Sequence, residues 1–277
     1  MMTRTNIGFI GAGSITEAIV EGMISEKFVD SNQIMLLNRS NSQRLEELKT
    51  TYSVHVTQDI QKLLQQNRVI ILAMKPTDAP DALGMIQPYI HKNHLIISVL
   101  AGITTSYIEE KIHTRTPIVR AMPNTSATIG LSATAISGGT YADKNDLLFT
   151  KRLFQTIGSV VPVPEDKMNA VTGLSGSGPA YFYYMVECME KAAIQNGLDE
   201  ETARELILQT IHGAAMMLRQ TKQPAELLRK KITSPGGTTQ AGIATLKEYD
   251  YEEALLACIT DATNRSQQLG ELFQKQN

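Results

Sequence analysis

The sequence predicts an α/β fold: a doubly wound parallel sheet in the first half of the chain, followed by a second half that is all helix. Three observations predict it. Short apolar, β-branched runs recur through the first half with amphipathic stretches between them. A glycine-rich turn follows the first of those runs. From about Glu165 onward the strand-like runs stop, and apolar residues recur at helical spacing.

The strand runs are residues 6–10, 33–38, 68–73, 94–99 and 117–122. Segments 40–51 and 57–66 lie between them and read as amphipathic helices. Such alternation places the strands parallel, with helices on both faces. Residues 130–137 and 158–163 read as two further strands closing the same sheet. In the second half, Leu206, Ile207, Ile211, Ala214, Ala215 and Leu218 repeat at helical spacing. Asp199 is placed to cap that helix, and Glu200 and Glu201 fall in its first turn, where acids suit the helix dipole. A helix covers 224–232, and a long one runs from Thr239 to the C-terminus with a bend near Asp250. The domains are expected at 1–164 and 165–277.

Composition excludes several classes. The chain has 277 residues, 42% hydrophobic and 19% charged, enough for two ordinary domains with full cores. Its net charge is −2 and it has no basic tract, so a nucleic-acid partner is not expected. No apolar stretch approaches the length of a membrane span. No basic segment and apolar run precede the first strand, so no signal peptide is read and the expected location is cytoplasmic. Cys188 and Cys258 read as buried, reduced thiols without zinc spacing. His55, His91, His94, His113 and His212 have no metal-like partner four residues on. They read as surface or core histidines, and the Met216-Met217 pair reads as core.

The first chemistry-bearing motif is Gly11-Ala12-Gly13-Ser14-Ile15-Thr16, between a strand and a helix. Gly11 permits a tight turn. Gly13 lets the backbone approach a pyrophosphate, whose charge then faces the helix N-terminus opened by Ser14 and Ile15. Thr16 stands where this dinucleotide fingerprint has its third glycine, which predicts a helix set slightly off its strand. The second strand ends Asn38-Arg39-Ser40. An NAD enzyme carries an acid there for the ribose 2′-hydroxyl. Here an arginine follows instead, and Arg39 and Ser40 are suited to a 2′-phosphate. The strand ends Ala73-Met74-Lys75-Pro76 and Ala101-Gly102 point to the same crevice, beyond the carboxyl ends of the strands.

Two segments of the second half are rich in glycine where helix is expected. Residues 170–181 include Gly173, Gly176, Gly178 and Pro179, which cost several kcal/mol (about 1 for each glycine, about 3 for proline) inside a helix. A ligand or a second helix must approach the backbone there. Residues 233–242 contain Ser234-Pro235-Gly236-Gly237-Thr238-Thr239, a loop that opens the last helix. Its backbone N–H groups and hydroxyls form an anion trap at a helix N-terminus.

With these segments in place, the chain resembles the pyrroline-5-carboxylate reductase family from end to end. The resemblance rests on residues 9–13, Asn38-Arg39-Ser40, Lys75-Pro76, Met122-Pro123-Asn124-Thr125, residues 172–181 and residues 234–239. The last two segments are the most characteristic. It implies an N-terminal Rossmann-type sheet and a C-terminal all-helical dimerisation domain, interleaved between subunits and assembled further, often into a decamer. It implies NADPH, with NADH weaker, as reductant of 1-pyrroline-5-carboxylate to L-proline, the last step of proline biosynthesis. Gly11, Gly13, Ser14, Asn38, Arg39, Ser40, Lys75 and Ala101 fall on its cofactor positions. Ile15, Ala73, Pro76 and Gly102 adjoin them. Ser234, Gly236, Gly237, Thr238 and Thr239 fall on its substrate loop, Thr239 being the hydroxyl nearest the ring nitrogen, and Glu165 falls on a site-lining acid.

The sequence departs from the family at Thr16, at Ile60 in place of an asparagine near the adenosine ribose, at Ser126 in place of proline, and at Lys231 in place of a polar residue, often asparagine. Two rivals follow. A β-hydroxyacid-dehydrogenase-like oxidoreductase would carry a lysine a turn or two after the helix glycines, and none occurs here before Lys191. A non-catalytic NADP-binding regulatory paralogue would not need the substrate loop, which is intact.

Overall fold

The computed structural model describes residues 5–275. It divides into two compact units, one of residues up to Pro179 together with those from Thr260 on, the other of Ala180–Ile259.

Among the described residues of the first unit, eight strands form one sheet in the order β3-β2-β1-β4-β5-β6-β7-β8. They are β1 (Ile7–Ile10), β2 (Ile34–Leu37), β3 (His55–Thr57), β4 (Val69–Leu72), β5 (Leu95–Ser98), β6 (Ile118–Met122), β7 (Ser132–Gly138) and β8 (Gly158–Pro162). The strands from β1 to β6 are parallel, and the order reverses between β1 and β4. Strands buried on both faces need apolar residues throughout. Ile7 and Phe9 join one core cluster with Ala18, Ile19 and Met23 of α1 (Ser14–Ser25). Ile10 joins the other, with residues of the helices on the opposite face.

On that second face lie α3 (Ile60–Gln66), α4 (Ala79–Ile86) and α5 (Thr105–Ile112), whereas α2 (Ser42–Tyr52) packs with α1 in the first cluster through Leu45 and Leu48. Side-chain caps start three of them: Asn41 accepts from Arg44 N, Asp59 from Lys62 N and Thr104 from Tyr107 N. Each satisfies an N–H that the first turn leaves open. The segment expected as a helix over 57–66 is therefore shorter. Residues 55–57 instead pair with β2 as an edge strand, and the Asp59 cap sets the helix start at Ile60.

β7 closes the sheet as expected and runs antiparallel to β6, with Arg120 opposite Ser137. The connection 123–131 is too short for a helical crossover, which needs about a dozen residues or more, so the chain turns back beside β6. Then α6 (Lys144–Gln155), capped by Asp143, returns it to β8, which is parallel to β7.

After α7 (Met168–Val171), residues Thr172–Gly176 form a π-helical turn, with Ser177 N donating to Thr172 O at 2.9 Å. That turn accommodates the glycine-rich run, and α8 (Gly178–Gln195) follows it. The second unit holds most of α8, then α9 (Glu200–Thr221), α10 (Ala225–Lys231) and α11 (Thr238–Glu248). Asp199 caps α9 as expected, through Thr202 N. The expected bend near Asp250 is a full break: Asp250 has φ 50°, and α12 (Tyr251–Lys275) starts anew.

The C-terminal part of α12 belongs to the first unit. There Ser266 is buried and donates to Asn169 Oδ1 at 2.9 Å. Gly270 lies against Gly102, whose φ is +76°. A Cβ on Gly270 would stand 2.5 Å from the Gly102 carbonyl oxygen. Gly270→Ala should therefore push α12 off this turn. Overpacking of this kind costs about 1–3 kcal/mol, and scanning calorimetry should show a lower Tm with the second unit's helix content retained.

Candidate active site

One cleft gathers most of the expected cofactor residues. It has a volume of about 630 Å³ and lies where the strand order reverses, beyond the carboxyl ends of β1, β2 and β4. Gly11, Gly13 and Ala73 line it, and so do Asn38, Arg39, Ser40 and Lys75.

Each wall has a local cause. Gly11 has φ +115°, and a Cβ there would overlap the Ala73 carbonyl, so only glycine brings β1 and β4 this close. Its N–H donates to Leu37 O at 2.8 Å. Gly13 starts α1 without a side-chain cap, and open space lies where its Cβ would be. The first N–H groups of α1, at Ser14 and Ile15, thus open toward solvent at the positive end of a helix. Thr16 does not leave the helix unsupported. It is fully buried, and its hydroxyl donates to Gly11 O at 2.9 Å, so the helix start is tied to the turn.

Asn38 spends its side chain on the turn. Its Oδ1 accepts from Ser40 N at 3.1 Å and from Asn41 N at 2.9 Å. This fixes the backbone around Arg39, whose carbonyl takes Gln58 Nε2 at 3.2 Å. The Arg39 guanidinium is exposed and has no partner among the described residues. Lys75 is likewise exposed at the start of the Pro76–Asp78 turn. Ile60 lines the floor as the first residue of α3.

Sequence reasoning missed Arg44. Its Nε donates to Ala12 O at 3.3 Å, and its guanidinium pairs with Glu17 and Glu47. The hydrogen bond to Glu17 raises its pKa. It joins α2 to the glycine turn. The signal was an arginine three residues after the Asn41 cap, which reads as an ordinary exposed charge.

Ala101 and Gly102 form the turn between β5 and α5, and α12 packs on Gly102. Glu165 follows β8. Its Oε1 accepts from Arg120 at 2.9 Å and from Thr105 N at 3.3 Å. Arg120 is also a residue the sequence reading passed over, a lone charge inside the apolar strand β6. Asn124 ties the β6–β7 connection to the π-helical turn, its Nδ2 donating to Ser175 O at 3.0 Å.

The loop 234–239 lies in the second unit. It is partly committed to itself: Gly236 N donates to Gln240 Oε1 at 2.6 Å, and Gly237 N to Ser234 O at 3.1 Å. Of the N–H groups expected to trap an anion, Thr238 and Thr239 open α11, which carries no side-chain cap. The neighbouring lysines are engaged, Lys230 with Glu226 at 2.7 Å and Lys231 with Gln223 at 2.7 Å.

Among the described residues no cluster of histidine, cysteine or acid is arranged for a metal, and no helix is long and apolar enough to cross a membrane. Both cysteines are free; Cys188 is exposed on α8 and not buried as expected. Met217 is half exposed, so the Met pair is not core within one chain.

The family described as pyrroline-5-carboxylate reductase dimerisation matches residues 165–269. The family described as NADP oxidoreductase, coenzyme F420-dependent, matches residues 6–102. Pyrroline-5-carboxylate reductase 2 of Bacillus subtilis is 48% identical over 267 residues, covering 96% of both chains. Pyrroline-5-carboxylate reductase 1 of the same organism is 42% identical, over 98% of this chain and 92% of that one. The structure of a pyrroline-5-carboxylate reductase from Coxiella burnetii superposes with a TM-score of 0.88 at 36% identity, covering 96% of this chain and 99% of that one. The pyrroline carboxylate reductase of Plasmodium falciparum, solved with NADP bound, gives 0.88 at 26% identity over 98% and 100%. With its glycine turn, arginine lip and glycine-threonine loop, the chain belongs to the pyrroline-5-carboxylate reductase family.

Proposed function

We propose that this chain is a cytoplasmic, NADPH-dependent reductase that converts 1-pyrroline-5-carboxylate to L-proline, the last step of proline biosynthesis. The observation that carries the cofactor reading is the unpartnered Arg39 guanidinium at the lip of a cleft whose glycine turn is open at Gly13. These residues fit a dinucleotide phosphate. Gly11, Gly13, Ser14 and Ile15 would face the pyrophosphate, and Asn38, Arg39 and Ser40 the 2′-phosphate. Ala73, Lys75, Pro76, Ala101 and Gly102 would border the ribose and nicotinamide. NADH would bind more weakly.

The bound nicotinamide supplies the hydride. The protein's own tasks are orientation and anion binding. A protonated imine is already electrophilic, so no strong acid is needed. Thr238 and Thr239 N–H, with the Ser234 hydroxyl, would hold the substrate carboxylate. Gly236 and Gly237 shape the loop, and Glu165 lines the site. Thr239 Oγ1 would hold the ring nitrogen. We also place the domain boundary at 164/165, where the dimerisation match begins.

Homo-oligomerisation is a property of the matched family. We propose an interleaved homodimer, with dimers assembling into a decamer. Large apolar side chains of α8 and α9 stand in solvent, among them Phe182, Tyr183, Tyr184 and Leu206. Apolar patches of this extent mark interaction surfaces. Light scattering on dilution should find no folded monomer; a stable, active monomer would refute this.

Rescue of a proline auxotroph tests the reaction itself, and failure of a well-expressed protein to rescue would leave only a binding role. Losing a charged hydrogen bond costs about 1.5–3 kcal/mol. Arg39→Ala should thus weaken NADPH roughly ten- to a hundred-fold while NADH hardly changes; equal losses for both cofactors would contradict the 2′-phosphate role. In the loop, Thr239→Ala should lower turnover more than it weakens NADPH binding. Gly237→Val should raise the substrate Michaelis constant, because a Cβ there would meet Ser234 Oγ at 2.7 Å. Neutralising Lys230 or Lys231 should matter less, and a large effect confined to those lysines would assign the carboxylate to a charged side chain.

A further inference from the structure

Among the described residues, Arg120 is the largest fully buried side chain, at 1% exposure. It sits in the middle of β6, with Ser98 of β5 and Ser137 of β7 beside it in register. Both serines are buried as well. Of the guanidinium, Nη1 donates to Glu165 Oε1 at 2.9 Å, whereas Nε and Nη2 are buried without a partner among the described residues. Glu165 Oε2 is also buried and unpartnered. The desolvation cost of a buried ion pair offsets most of its attraction, and apolar residues of similar volume often hold a fold as well, so stability alone does not account for the pair.

What it does supply is a fixed point. The same Glu165 Oε1 accepts from Thr105 N, the first residue of α5, at 3.3 Å. A carboxylate suits that position, at the positive end of the helix. From Thr105 the chain leads back through the Thr104 cap to Ala101 and Gly102. One face of this turn is set by α12 at Gly270, and its far end is set by Glu165.

We propose that Arg120 is a positioning residue for the reaction: by holding Glu165 in the sheet it fixes the start of α5, and with it the Ala101–Gly102 turn beside the nicotinamide. The role rests on the reading that this turn borders the cofactor. Arg120 itself touches neither cofactor nor substrate.

Three variants of the full-length protein test it. Arg120→Met removes the anchor and nearly conserves volume. Thr105→Pro removes the N–H that reaches Glu165, together with the Thr105 hydroxyl, and leaves the ion pair in place. Proline is well tolerated at the first helical position, and Thr104 already has the extended backbone that must precede a proline (φ −80°, ψ 157°). Arg120→Met with Glu165→Leu removes the whole pair. In all three, amide hydrogen exchange in residues 101–104 should rise. Turnover should fall by about a hundredfold, the scale of a small misplacement of reacting groups. In Arg120→Met and Thr105→Pro, which leave Glu165 in place, the Michaelis constant for pyrroline-5-carboxylate and the affinity for NADPH should move less than threefold (~3-fold is about 0.6 kcal/mol). The double variant should match or exceed the wild-type Tm, which separates positioning from a merely structural role.

Unchanged exchange at 101–104 in Arg120→Met, or full turnover in Thr105→Pro, would overturn the proposal. A raised Michaelis constant only in the variant lacking Glu165, with Thr105→Pro unaffected, would also overturn it, by showing direct contact of Glu165 with substrate. If Arg120→Met does not fold, Thr105→Pro still decides, because it leaves the ion pair in place. A wild-type protein that binds NADPH but does not turn over would defeat the assigned reaction alone, since the exchange measurement needs no turnover.

Discussion

At the ends of β1 and β4 the backbone leaves no room for a side chain. A Cβ on Gly11 would run into the carbonyl of Ala73, and Gly11 N is already bonded to Leu37 across β2. Three strand ends are therefore drawn together at one residue. That contact sets where α1 begins, and so where its uncapped N–H groups open. It also sets where the Asn38-Arg39 turn stands relative to them. The sheet order reverses at the same place, and ligands of open α/β sheets lie at such reversals. Arg44 reinforces the arrangement from behind, through the Ala12 carbonyl and Glu17. The cleft is thus a property of backbone geometry first, and its charge is added at the lip by side chains that the fold leaves unengaged.

The parts of the fold legible in the sequence were those with long one-dimensional signals. β1, β2, β4, β5 and β6 read directly because strands covered on both faces are nearly continuous apolar runs. β3 did not read, because His55, Val56 and Thr57 form a short, partly exposed edge with a mixed pattern. The direction of β7 depends on connection length and not on composition. In the cleft, Gly11 and Arg39 were visible because each breaks a local rule: a glycine turn at a strand end, and an arginine where an acid is customary. Arg120 also breaks a rule, standing between Val119 and Ala121, but its partner Glu165 lies 45 positions away and no local spacing connects them. The loop 234–239 was found, yet the use of Gly236 and Gly237 N–H within the loop follows from Gln240 and from its turn geometry.

The two units differ in how completely they satisfy themselves. In the first, two core clusters close over both faces of the sheet. In the second, the buried residues of α9 are Ala203 and Ile207, while Leu206, Leu208 and Met217 stand exposed. Apolar surface of this extent marks a face that another molecule covers. The corrections at Cys188 and Met217 have this common origin. Sequence periodicity reports which residues need burial, and a single chain shows only the part of that burial it can provide.

The return of the last helix to the first unit bears on how the protein is made. The chain leaves that unit after Pro179 and rejoins it at Thr260. Gly102 is seated by Gly270, and Asn169 is bonded by Ser266. During vectorial synthesis every strand of the sheet emerges long before those residues exist. Domains fold as units while the chain is made, but here the first unit waits for residues 266–270 to complete the turn after β5. A chain that stops short of residue 266 would carry the whole sheet and still lack the wedge that holds this turn.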